Sequence, residues 1–157
     1  MNHLIGHFAE GYLYAILSAF DGRTVEGQPY FTSAGPVLLP HFIKIERRTG
    51  LIQTGHVIEL DLLAEWALPQ GAGVGVWLVQ VKNTQEPVNR SEAQAFLAQA
   101  NQMAQSKPYL TVICWYFAKQ GFTANAAALL QEAGVLLSDL AGFNRLAKLL
   151  GVVTLPG

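Results

Sequence analysis

A chain of 157 residues, 51% of them hydrophobic and 13% charged, has the apolar content and length to bury a real core, which excludes a disordered segment. Ten basic residues against eleven acidic ones leave a net charge of −1, which argues against a protein that grips polyanions by bulk charge alone. No apolar run reaches the length of a bilayer span, the opening Met1-Asn2-His3-Leu4 lacks the basic start of a secretion signal, and the lone Cys114 has no internal disulfide partner. The expected setting is the reduced cytoplasm, with no membrane contact.

In chain order, His3–Phe20 places Leu4, Phe8, Tyr12, Ala15, Ile16 and Ala19 at helical spacing, and Asp21-Gly22 ends the helix. Residues 22–41, rich in Gly and Pro, read as loop or short hairpin. Phe42–Glu46 alternates and predicts a strand, after which Arg47–Gly50 is expected to turn the chain. Val57–Glu65 and Val74–Asn83 predict two strands joined through Pro69-Gln70-Gly71-Ala72-Gly73. Ser91 is expected to cap a helix that runs to about Gln105, with Pro108 beyond it. Tyr109–Phe117, β-branched, aromatic and apolar on both faces, predicts a central buried strand. Thr123 caps a helix to about Ala133, Gly134 ends it, Val135–Leu137 is a short strand, and Leu140–Leu150 is a last helix. The whole chain, 1–157, is expected to form a single α/β domain. Its mixed central sheet would be flanked by helices in the order αβββαβ, followed by a C-terminal helix, strand and helix.

Two neighbouring apolar runs carry groups that a core does not accept without compensation. They are Ile58-Glu59-Leu60-Asp61-Leu62-Leu63 and Val76-Trp77-Leu78-Val79-Gln80-Val81-Lys82. Alternate side chains of a strand share a face, so Glu59 would project with Asp61, and Gln80 with Lys82. In a hairpin these strands would bring a carboxylate, an amide and an ammonium to one spot, and buried charges need a partner or a metal.

An acid on one strand followed by E-x-K or Q-x-K late on the next resembles the PD-(D/E)XK nuclease superfamily. Within it the chain is most similar to the Mrr-like restriction endonuclease branch, in which Gln can replace the second acid. The matching residues are Glu59-Leu60-Asp61 and Gln80-Val81-Lys82. Asn89-Arg90-Ser91-Glu92-Ala93-Gln94-Ala95-Phe96 is similar to the helix that follows the lysine strand, and the stretch from Phe122 to Leu149 to the usual tail. The clear match runs from about Gly55 onward, and the first acid follows Leu60 where the family pattern has Pro.

The resemblance implies a restriction-endonuclease-like core and Mg²⁺-dependent hydrolysis of double-stranded DNA, with Mn²⁺ as the alternative ion. It implies that Asp61, Gln80 and the Val81 carbonyl hold the ion. Glu10 on the first helix would be an extra acid, Glu59 a ligand to a second ion, and Lys82 would aim the attacking water. The near-neutral charge then calls for a homodimer or a separate DNA-binding partner. A junction-resolving nuclease is a close relative. The competing class is an inactive nuclease fold retained for binding or assembly, which a glutamine in place of an acid would suit.

Plainer readings stand beside each residue. Asp61 could be an edge-strand acid, Lys82 a lysine that snorkels to solvent, and Gln80 an amide bonded within a sheet. Glu10, with His3, His7 and Tyr14 on one side of its helix, also fits a solvated face. His3 and His7 have the spacing of a zinc pair but lack a third ligand. His56, Arg90 and Gln94 read as surface polar groups. Gly71–Gly75 lacks the Lys-Ser/Thr of a phosphate loop, Cys114 reads as inert, and Trp66, Trp77 and Trp115 read as core.

Overall fold

The computed structural model describes residues 2–32, 35–53 and 56–157, with the side chains of 2–8, 48–53 and 56–59 outside the description. The chain begins with α1 (Asn2–Ser18) and a small hairpin of β1 (Thr24–Glu26) and β2 (Pro36–Leu38). Three long strands follow: β3 (Lys44–Gln53), β4 (His56–Ala67) and β5 (Val74–Lys82). Next come α2 (Arg90–Ala104), β6 (Thr111–Ala118), α3 (Ala124–Glu132), β7 (Leu136–Ser138) and α4 (Leu140–Leu150).

Strands β3 to β7 form one mixed five-stranded sheet in sequential order. The β3-β4-β5 part is antiparallel, whereas β5, β6 and β7 run parallel. Parallel neighbours need a crossover, and α2 and α3 supply one each. This is an α/β architecture with helices on both faces of the sheet.

Alternation along the strands separates two cores. On one face Leu13, Ile16 and Leu17 of α1, with Phe143, Leu146 and Ala147 of α4, pack on Leu62, Trp77, Val79, Trp115 and Phe117. On the other face Phe96, Ala100 and Met103 of α2, with Ala126 and Leu130 of α3, pack on Leu63, Leu78 and Tyr116. The first core is aromatic at its centre. Trp77 meets Phe20 edge-on at 5.3 Å and Trp115 at 6.0 Å between ring centroids, and Phe117 stacks on Phe143 at 4.4 Å. Offset and edge-to-face pairs of this kind add to the burial of each ring.

Three expectations from sequence change here. Arg47–Gly50 is not a turn: β3 continues through it, with Arg47 opposite Leu62, Thr49 opposite Leu60 and Gly50 opposite Glu59. Its polar composition suits an edge strand, where charged side chains are common, and β4 offers a continuous partner. The cap of α2 is Asn89, not Ser91. Asn89 Oδ1 accepts the Glu92 N–H at 2.9 Å, while Glu92 Oε1 accepts the Asn89 N–H at 3.1 Å, a reciprocal capping box. Strand β6 is buried only from Trp115 to Ala118, and Val112 is exposed. The reason is that β7 pairs only with Trp115–Phe117, which leaves the first half of β6 as an edge on that side. Thr123 caps α3 as expected, accepting the Ala126 N–H, and Asp139 caps α4 through Gly142.

Candidate functional site

Strands β4 and β5 pair from Ala67↔Val74 to Leu62↔Val79, and there the ladder ends. Continued one step, this register would set Asp61 opposite Gln80. There the Asp61 side chain takes over from the backbone, its Oδ2 accepting the Val81 N–H at 2.9 Å. Leu60 packs in the second core and Leu62 in the first, so strict alternation along β4 is broken at Asp61. On its other side β5 stays paired with β6 as far as Lys82↔Ala118. The strand carrying Gln80 and Lys82 is therefore held firmly while its antiparallel neighbour parts from it. The N–H and C=O of one strand residue leave on the same side, so the Val81 carbonyl is also directed toward β4.

Gln80 is half-buried, and its Oε1 is buried with no hydrogen-bond partner among the described residues. Next to it on β6, in register, stands Tyr116. Burial pushes the Tyr116 hydroxyl pKa upward, and the negative charges of Glu92 and Asp61 push it further in the same direction. One phenol thus senses both carboxylates.

Lys82, whose side chain is 14% exposed, has its Nζ 2.7 Å from Glu92 Oε1 and donates also to the Pro87 carbonyl at 3.2 Å. Glu92 was not singled out by sequence reasoning, and neither was Tyr116. The signal for Glu92 was present, because Asn89 and Glu92 have the spacing of a capping box. The same carboxylate then closes the cap of α2 and holds the ammonium of β5.

Glu10 is 2% exposed on α1, on the stripe that carries Leu13 and Leu17, so the solvated-face reading is wrong for it. It approaches the sheet from the layer opposite α2. The Glu59 side chain, and those of His3, His7 and His56, lie outside the described residues. Tyr14 is exposed, with the Arg47 guanidinium 5.9 Å above its ring. Arg90 and Gln94 are exposed on α2, as their plainer reading has it.

Among the described residues no three His, Cys, Asp or Glu side chains converge as a metal cluster. The groups that meet where β4 and β5 part are one carboxylate, one amide oxygen and one backbone carbonyl. All three are hard oxygen donors of the kind Mg²⁺ and Mn²⁺ take, and the Gln80 oxygen has its lone pairs uncommitted. The donor set fits such an ion, with less charge than a pair of acids would bring.

No family model matches the chain. No curated protein matches it. A crystal structure of a protein of unknown function, AF1548, is similar at a TM-score of 0.47 and 15% identity, over 65% of this chain. The match spans 56% of that protein, somewhat over half its length.

Proposed function

We propose that this chain is a Mg²⁺-dependent phosphodiesterase of the PD-(D/E)XK type, Mrr-like, that cuts DNA. The observation that carries this reading is the Gln80 Oε1 atom, buried without a donor beside the strand position where Asp61 leaves the ladder. An unmade hydrogen bond on a buried polar group costs roughly 1–3 kcal/mol, and an ion at this spot would offset it. The αβββαβ order of α1, the three long strands, α2 and β6 is in keeping with the resembled fold.

In this reading Asp61, the Gln80 amide oxygen and the Val81 carbonyl would hold the ion, whereas Glu10 meets the sheet on the face opposite Gln80 and Lys82 and is not part of this donor set. Such an ion, when bound, polarises the scissile phosphate and makes water a better nucleophile near neutral pH. Lys82 acts from the end of β5, where its ammonium orients the water and offsets negative charge developing on the phosphoryl oxygens. Glu92 holds that ammonium in place. The net charge of −1 leaves DNA affinity to a second copy or to a basic partner.

Plasmid nicking in Mg²⁺ tests the reading. Wild-type protein is expected to nick, and Asp61→Asn and Lys82→Ala to lose roughly a hundredfold or more of that activity, the scale of a removed electrostatic contact. Equal nicking by all three proteins would defeat it.

A second reading is favoured by the Lys82–Glu92 ion pair and the single carboxylate among the three oxygen donors. In it the same fold is kept for binding or assembly without cleavage. Stability that is indifferent to Mg²⁺ and Mn²⁺, together with no nicking, would select it.

A further inference from the structure

We propose that the Tyr116 hydroxyl donates a hydrogen bond to a non-bridging oxygen of the scissile phosphate, an inference that rests on the phosphodiesterase reading above. Tyr116 stands next to Gln80 in the register of β5 and β6 and packs in the second core, so it shares with Gln80 the face of the sheet that α2 covers. Alternation places Val112, Cys114, Tyr116 and Ala118 of β6 on that face, and Tyr116 alone of them ends in an oxygen. Adjacent strands lie about 4.8 Å apart. A phosphate with one oxygen on an ion at Gln80 spans that gap with its second non-bridging oxygen.

The ring is fixed before any substrate arrives. Phe96 of α2 meets it edge-on at 5.0 Å between centroids, and Phe122 does so at 5.6 Å. Phe96 lies one helical turn beyond Glu92, the residue that holds Lys82, so the same stretch of α2 sets both the ring and the ammonium. The residue is 4% exposed, yet its hydroxyl makes no hydrogen bond among the described residues and keeps contact with solvent. The charges of Asp61 and Glu92 both act on that hydroxyl, which sets it among the groups of the site. A phenol is protonated near neutral pH and offers one donor. Held in place beside two carboxylates, it gives an incoming anion the donor that neither acid can supply, and it keeps its proton throughout.

Tyr116→Phe tests this, because it keeps both ring contacts and removes a hydroxyl that bonds nothing in the fold. Its thermal midpoint is expected to match wild type. At saturating Mg²⁺ its plasmid-nicking rate should fall roughly tenfold to a hundredfold, the worth of one hydrogen bond to a charged group, while the Mg²⁺ concentration for half-maximal rate stays the same. A loss caused by displaced packing would instead move the midpoint or the Mg²⁺ dependence. A second measurement needs no cleavage: protein labelled with ¹³C at tyrosine Cζ is titrated with dimethyl phosphate, the smallest phosphodiester, in Mg²⁺. The Tyr116 signal, identified by its loss in Tyr116→Phe, is expected to move while those of the other four tyrosines stay in place. Wild type and Tyr116→Phe nicking at the same rate, or a Tyr116 signal that dimethyl phosphate leaves in place, would overturn the inference and leave the nuclease reading standing. Absence of nicking by wild type would defeat that reading and the inference with it.

Discussion

Asp61 and Val81 are joined by a side-chain bond where a backbone bond would be expected: Asp61 Oδ2 takes the Val81 N–H at 2.9 Å, immediately past the last ladder pair of β4 and β5. A carboxylate in this position serves the fold as well as any chemistry. Asp61→Ala should therefore cost about 1–3 kcal/mol by leaving a partly buried N–H without an acceptor. Asp61→Asn keeps an acceptor oxygen and should cost less than half as much. Urea denaturation of the two variants measures the difference, and equal losses would remove the bond from the account.

Ser138 links two elements far apart in the chain. It is 1% exposed, accepts from Trp115 Nε1 at 2.9 Å and donates to the Tyr30 carbonyl at 2.9 Å. Ser138→Ala is expected to destabilise by about 1–3 kcal/mol, because the Trp115 indole and the Tyr30 carbonyl both lose a partner. A thermal or urea midpoint within error of wild type would contradict this.

Gly75 is a steric requirement of the sheet. A Cβ there would lie 2.5 Å from the Trp66 ring, and Trp66 is itself packed edge-on against Phe42 at 6.2 Å. Gly75→Ala should cost about 1–3 kcal/mol through overpacking. Gly75→Ala in a Trp66→Leu background should cost much less, and a double-mutant cycle reads the difference.

Cys114 gives a pH dependence of known sign. Burial pushes its thiol up to about 11, against roughly 8.5 for an exposed cysteine. The raised value means that the associated stability is complete below the unfolded value and is lost as the pH rises through about 11. Wild type should therefore lose more stability than Cys114→Ala between about pH 8.5 and 11. The tyrosines titrate in both proteins and cancel in the comparison. Parallel stability curves would show that the thiol is not desolvated, and rapid alkylation by iodoacetamide at pH 8 would say the same.

Much of this architecture was legible because it is local. Thr123 caps α3 where a helix N-terminus was expected, the bounds of β5 fall within one residue of those expected, and α4 covers Leu140–Leu150 as its periodicity implied. The errors also have local causes. Arg47-Arg48-Thr49-Gly50 looks like a turn to any scale of composition, and only the length of β4 beside it makes it strand. Asn89 was overlooked as the cap of α2 because Ser91 is an equally good capping residue two positions later.

The candidate site divides along the same line. Asp61, Gln80 and Lys82 could be found because polar residues interrupt apolar strands. For Glu10 the spacing fits an extra acid and a solvated face equally, and its burial depends on which stripe of α1 meets the sheet. The spacing of Asn89 and Glu92 marks Glu92 as a capping residue, but its bond to Lys82, like the place of Tyr116 beside Gln80, comes from the packing of α2 and β6 against β5.

On the proposed reading the parting of β4 and β5 receives a hard cation. Crystals soaked in Mn²⁺ and measured at its absorption edge test it most directly. One anomalous peak is expected within coordination distance, roughly 2 Å, of an Asp61 carboxylate oxygen, the Val81 carbonyl and Gln80 Oε1. Anomalous density that is absent there, with Gln80 Oε1 still lacking any partner, would contradict it.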